Sequence, residues 1–313
     1  MQKSASEHAS SDFIVVHLLD PEDAAITAAM RGGMRAAKGA RLGIEARGQF
    51  DALMESVLPR DDVTYEAGSI GGVAGVWVQP ANSRPGEAMI HLHGGWFNFG
   101  SAWAFRHLVG QIAARAGART FIPDYRLAPE HPFPAATDDV LACYQALAGS
   151  GVRRIAVTGD SAGGDLALSL ASRVAGDARL AGVAVLSPIT DLTLLGASYE
   201  TRAEADPLFT RPQVLALVEA YLGSAPATHP LASPLFAGFA GLPPVRIHVG
   251  DDEVLLDDSL RYGERAAAAG VDVRVDLWMG MAHGFAGGVG RLKAASQALE
   301  DIGAFLSERL RAA

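Results

Sequence analysis

The chain holds one cysteine, Cys143, so no intrachain disulfide can form. That cysteine lies in the apolar helical stretch 139–147 and reads as a small core residue, not a nucleophile. Basic side chains are outnumbered: 26 Lys and Arg stand against 35 Asp and Glu, giving a net charge of −9. A nucleic-acid partner needs a basic face, and this balance offers none. No apolar run approaches the roughly 18 residues that span a bilayer. Residues 13–19 are apolar, but the run is short, interrupted by His17 and followed at once by acids. With no small-residue cleavage site behind it, the run does not read as a signal peptide, and a cytoplasmic location without stable membrane insertion is expected. The histidines are scattered with no His-x-x-x-His pair, so no metal is expected. No Gly-x-Gly-x-x-Gly opens a helix after the first strand, which argues against a nucleotide, and no cofactor is expected. Internal repeats, low-complexity linkers and long like-charge runs are also missing. Self-association into a homodimer is left open.

What remains is a globular composition, 49% hydrophobic and 19% charged over 313 residues, enough for one large core or two modest domains. Residues 1–60 read as helical: a proline and two acids open a helix at Pro21, Gly32-Gly33 interrupts it, and a second helix runs near 48–58. From about residue 62, strands alternate with helices: strands at 73–78, 88–92, 120–124, 154–159, 180–186, 245–249 and 271–277, and helices between them and at 292–310. That rhythm implies a mostly parallel sheet covered on both faces. Residues 190–240 break it with loop-rich sequence around one helix at 210–221, and read as an insertion.

Gly159-Asp-Ser-Ala-Gly163 fits Gly-x-Ser-x-Gly between an apolar strand and an Ala/Leu-rich helix. A serine nucleophile must project from a sharp, strained turn, and glycines two positions away on each side let strand and helix close around it. Upstream, the strand at 88–92 runs into His93-Gly-Gly-Trp-Phe-Asn-Phe-Gly100. Acyl transfer passes through an oxyanion that needs preorganised N–H donors. Gly94 and Gly95, with Ala162 after the nucleophile Ser161, are the expected donors.

The remaining order is an acid, then histidine. His283 stands in the loop after the last strand, whereas His248 lies within a strand and His229 within the insertion. The acid comes from Gly250-Asp-Asp-Glu-Val-Leu-Leu-Asp-Asp258, where Asp252 and Glu253 lead over Asp251 and Asp257, and Asp257 and Asp258 suit a helix start. His283 would deprotonate Ser161, and the carboxylate would orient the imidazole.

These motifs, together with Asp124-Tyr-Arg-Leu-Ala-Pro-Glu-His-Pro-Phe-Pro-Ala135, resemble the hormone-sensitive-lipase-like carboxylesterases of bacteria, in the Gly-Asp-Ser-Ala-Gly branch. The resemblance implies an α/β-hydrolase fold with a mostly parallel eight-stranded sheet flanked by helices. It implies a helical cap built from residues 1–60 and the insertion 190–240, over a catalytic domain at 61–189 and 241–313. Its acid-x-Leu-x-Asp run reads Glu253-Val-Leu-Leu-Asp257 here, which selects Glu253 and leaves Asp252 as the alternative; the family more often has Asp there. Where the family reads His-Gly-Gly-Gly, this chain has Trp96 at the fourth position, so Trp96 and Phe97 are expected to narrow the substrate pocket. The implied activity is hydrolysis of small, fairly apolar carboxylic esters or lactones. The alternatives are an amide or N-acetyl hydrolase with the same triad, and a non-catalytic ligand receptor on the same fold.

Overall fold

The computed structural model describes residues 12–36, 38–40 and 43–312. The first eleven residues of the expected N-terminal helical segment lie outside the described residues. In chain order the elements are β1 (Ile14–His17), α1 (Pro21–Ala36), α2 (Arg47–Glu55), β2 (Val63–Ile70), β3 (Val73–Pro80), β4 (Glu87–Leu92), α3 (Ala102–Ala116) and β5 (Arg119–Pro123). There follow α4 (Ala135–Gly149), β6 (Arg154–Asp160), α5 (Ala162–Arg173), β7 (Leu180–Leu186), α6 (Ser198–Thr201) and α7 (Arg211–Leu222). The chain closes with β8 (Val245–Gly250), α8 (Leu256–Ala268), β9 (Val273–Trp278) and α9 (Lys293–Arg311).

The strands form one sheet of nine, ordered β1-β9-β8-β7-β6-β4-β5-β3-β2. Strands β2 and β3, and β3 and β5, pair antiparallel; every other pairing is parallel. In the central strands alternate residues serve opposite faces, as the pleat requires. Ile90 and Leu92 join the cluster containing α4, α5, α7 and α8, while Met89 joins the cluster beneath α3 and α9. Both faces are therefore dry, which explains strands that read as continuous apolar runs.

Three expectations change. The sheet has nine strands, not eight, because residues 14–17 are strand and not helix. Strand β1 pairs with β9, and His17 stacks on Trp278 with ring centroids 3.8 Å apart and bonds Asp276 Oδ1 through Nε2 at 2.8 Å. Strand β2 was hidden by its solvent-facing polar residues and is turned into β3 by Gly71 and Gly72, both at positive φ. Gly32-Gly33 does not interrupt α1. Each glycine costs the helix about 1 kcal/mol, and cation contacts from Arg31, Arg35 and Lys38 to the turn at 203–206 offset that cost.

The chain ends are tied together. Helix α9 has no side-chain cap of its own, since Leu292 stands at the capping position. The buried carboxylate of Asp23 replaces it, accepting from the N–H groups of Lys293 and Ala294 at 2.8 Å each. Asp23 reads as a first-turn acid of α1, yet it serves a helix 270 residues away. Asp23→Ala is expected to lower unfolding free energy by about 1–2 kcal/mol, and Asp23→Asn by less, measured by urea denaturation.

Candidate active site

The loops after β4, β6, β8 and β9 all leave the same edge of the sheet, because those strands are parallel. Carboxyl ends of parallel strands are where such sheets bind ligands. Ser161 stands between β6 and α5 at φ 55° and ψ −120°. That left-handed region is strained for a side-chain-bearing residue. The strain is held by close backbone packing. A Cβ on Gly159 would overlap the carbonyl of Gly163, and one on Gly163 would overlap the carbonyl of Leu92. The serine thus sits at the N-terminus of α5, whose first-turn N–H groups have no intrahelical partner.

Glu253 is fully buried at the end of the β8 loop. Its Oε1 accepts from Ser187 Oγ at 2.7 Å and from the Gly250 N–H at 2.8 Å, and its Oε2 meets His283 Nδ1 at 2.8 Å. The other acids are engaged elsewhere. Asp252 pairs with Arg31, Asp251 accepts from the Gly280 N–H, and Asp257 accepts from the Ser198 N–H at 3.0 Å. His248 is buried in β8, where Nδ1 accepts from Trp278 Nε1 at 3.2 Å and burial pushes its pKa down to about 4.

Burial is the strongest single influence on His283 and disfavours its charged form. The Glu253 charge and hydrogen bond oppose it, with smaller help from Asp206 and Asp160, and together they raise the pKa above its ordinary value. Ser161 and His283 line one small cavity of about 30 Å³, with Asp160, Ser187, Met54 and Leu108 among its walls. No hydrogen bond joins the Ser161 hydroxyl to the imidazole among the described residues; such bonds often tighten only when substrate binds.

In the loop after β4 the arrangement differs from the expected one. The Gly94 N–H donates to Asp160 Oδ1 at 3.1 Å, so this expected oxyanion donor is already engaged. Asp160 Oδ1 also meets His91 Nε2 at 3.3 Å, and the carboxylate thereby braces the loop against the elbow. Gly95 stands at φ 119° and Trp96 at φ 52° on the same turn. Among the described residues their N–H groups have no acceptor. Phe97 also departs from expectation: its buried ring stacks on Tyr221 of α7 at 3.7 Å, so it fixes the loop to that helix and is not among the cavity walls. Trp96 is buried too, with its ring edge-on to Phe209 at 5.3 Å, and Phe209 is edge-on to His283 at 5.1 Å. The proline-rich segment 124–135 supports this loop: Asp124 accepts from the Ala102 N–H at 2.6 Å, and the Ala128 N–H donates to Phe97 O at 2.9 Å.

Asp160, Ser187, Asp206 and Phe209 are site residues that the sequence did not disclose. Only Asp160, inside the elbow motif, carried a positional signal. One trio among the described residues, His17, Asp276 and Asp301, brings ligand atoms within 4.8 Å of one another. Arg274 Nε donates to Asp276 Oδ2 at 2.8 Å, and the His17–Asp276 bond ties β1 to β9. No helix among the described residues is long and apolar enough to cross a membrane.

A family model described as alpha/beta hydrolase fold matches residues 89–287. An acetyl-hydrolase of Streptomyces hygroscopicus is 37% identical over 254 residues, which is 80% of this chain and 83% of that protein. An esterase of Acinetobacter venetianus is 37% identical over 241 residues, covering 75% of this chain and 79% of that one. Among solved structures, the esterase EstE5 superimposes with a TM-score of 0.87 at 35% identity, covering 94% of this chain and 100% of its own. An esterase from the bacterial hormone-sensitive lipase family superimposes with a TM-score of 0.86 at 36% identity, covering 93% of this chain and 99% of that one.

The elbow packing gives a paired expectation. Gly163→Ala forces backbone apart and should cost about 3 kcal/mol or more. Gly33→Ala, exposed in α1 with nothing near its Cβ, should gain about 0.5–1 kcal/mol. Thermal and urea unfolding of the two variants checks both signs.

Proposed function

The chain belongs to the alpha/beta hydrolase fold family, as a carboxylesterase of the hormone-sensitive-lipase-like group, and from that premise we propose that it cleaves small, fairly apolar carboxylic esters or lactones through an acyl-enzyme on Ser161. The observation that carries this reading is the Glu253–His283 hydrogen bond, with Glu253 fully buried, beside the cavity that Ser161 lines.

The carboxylate on Nδ1 keeps the proton on that nitrogen and leaves the Nε2 lone pair free. His283 takes the Ser161 proton while Oγ forms a bond to the acyl carbon and the carbonyl electrons move onto oxygen. The N–H groups of Gly95 and Ala162 stabilise that oxyanion, joined by Trp96 in place of the engaged Gly94. The intermediate collapses, the C–O bond to the alcohol breaks, and His283 protonates the leaving oxygen. Water, deprotonated by His283, then attacks the acyl carbon and releases the acid and Ser161.

A short acyl group is in keeping with the acetyl-hydrolase relative. Trp96, like Phe97, is not among the cavity walls and reaches the site only through Phe209, whose ring meets His283. Helices α1 and α2 with residues 190–240 form the cap in this reading, over a catalytic domain at 61–189 and 241–313, to which β1 also belongs. The cytoplasmic location expected from the sequence is retained.

Ser161→Ala should lower turnover of nitrophenyl acetate by more than about 1000-fold. An organophosphate should add its mass to the peptide holding Ser161. The acid limb of kcat/KM should lie above pH 6.5, the ordinary histidine value, because Glu253 stabilises the imidazolium. Glu253→Gln should move that limb to lower pH and reduce kcat. Turnover in Ser161→Ala equal to wild type would reject the mechanism, and faster cleavage of the matched anilide than of the ester would reassign the substrate to amides.

A further inference from the structure

Glutamate at the acid position poses a mechanical problem. Its extra methylene adds a rotatable bond, so its carboxylate meets the imidazole only if the backbone beneath it is fixed. Ser187 and Gly250 hold the carboxylate itself. The backbone is held from another direction. Asp206, fully buried in the insertion, accepts from the Val254 N–H at 2.9 Å through Oδ2, next to Glu253. Its Oδ1 accepts from the N–H groups of Leu208 at 2.7 Å and Phe209 at 3.0 Å, and the Phe209 ring meets the imidazole of His283. One carboxylate therefore touches both the acid's backbone and the residue that packs on the base.

The turn that carries Asp206 is held in its turn by α1. Lys38 Nζ bonds the carbonyls of Ala203 and of Asp206, the latter at 2.6 Å, and Arg35 reaches the carbonyl of Glu204 at 3.3 Å. Arg31 bonds the carbonyl of Ala205 at 2.8 Å, the carboxylate of Asp252 beside Glu253, and the carbonyl of Gly280 at 3.2 Å in the loop that leads to His283. Two cations on α1 and Lys38 just past its end thus converge on one four-residue turn, and Arg31 also spans the acid and base loops.

We propose that α1 and the residue just past its end latch the 203–206 turn so that Asp206 aligns Glu253 and His283, making Asp206 a positioning residue and Arg31 and Lys38 the latch that holds it. This rests on the triad reading above. It also assigns Asp252 a purpose other than proton chemistry: it is the anchor for Arg31 on the acid loop. The strained geometry at Ser161 needs no help from α1, so the latch acts on the acid and base alone.

The test uses the full chain, with kcat and KM for nitrophenyl acetate measured across pH. Asp206→Asn should lower kcat by about 10- to 100-fold, as sub-ångström misplacement of a catalytic pair does, with a smaller change in KM. It should also move the acid limb of kcat/KM to lower pH, because the charges facing His283 are Glu253, Asp206 and Asp160, and one is removed. Lys38→Met should lower kcat by several-fold and Lys38→Arg should restore most of it. The double variant Asp206→Asn with Lys38→Met should be no slower than Asp206→Asn alone, since both act through one turn. A folded Asp206→Asn protein with wild-type kcat and pH limb overturns the proposal, as does full additivity in the double variant. Should Asp206→Asn fail to fold, unchanged kcat in Lys38→Met is sufficient to overturn it. Ser161→Ala separates the two readings: lost turnover there with unaffected latch variants rejects the latch alone, and retained turnover rejects the triad.

Discussion

The approach of Gly163 to the carbonyl of Leu92 is the constraint on which the site depends. It lets β6 turn into α5 with no side chain between them, and it forces Ser161 into a backbone conformation that a flexible loop would not keep. The same contact brings the elbow against the loop that follows β4. Asp160 then closes the gap by accepting from Gly94. The Ser161 elbow and the His-Gly-Gly loop are thereby joined by backbone contacts and one carboxylate. Glu253 and His283 arrive separately on the loops after β8 and β9, and their alignment depends on side chains.

This division explains what could be read from the chain. The elbow and the His-Gly-Gly loop were legible because backbone packing demands glycine at fixed spacing, and spacing survives in sequence. His283 was legible because topology puts the last loop at the same sheet edge as the elbow. The choice of Glu253 over Asp252 was not legible from position, since both stand just past β8. In three dimensions burial favours Glu253, which has three partners inside the protein, while Asp252 turns outward to Arg31.

The misreadings share a cause, which is that long-range pairing outweighed local pattern. Four residues at 14–17 are too few to announce a strand, and they become one because β9 offers an unpaired edge. Strand β2 is amphipathic and exposed on one side, so its polar residues masked it. The Gly94 N–H is engaged by the carboxylate of Asp160, a pairing across 66 residues that the elbow motif alone does not announce. Phe97, expected at the pocket from its place in the family's oxyanion loop, instead stacks on the flat ring of Tyr221. Asp206 and Phe209 lie in the stretch with the least regular pattern, where only packing gives them meaning.

Strand β1 has one more consequence. It shields the outer rim of β9, whose unpaired peptide groups would otherwise present a template for a strand from another molecule. Asp23, a few residues further on, fastens the same region to the final helix. A protein shortened past residue 25 would therefore lose more than a dispensable tail. It would carry a bare, apolar sheet margin and an uncapped terminal helix, and its first symptom would be self-association, with loss of catalysis following.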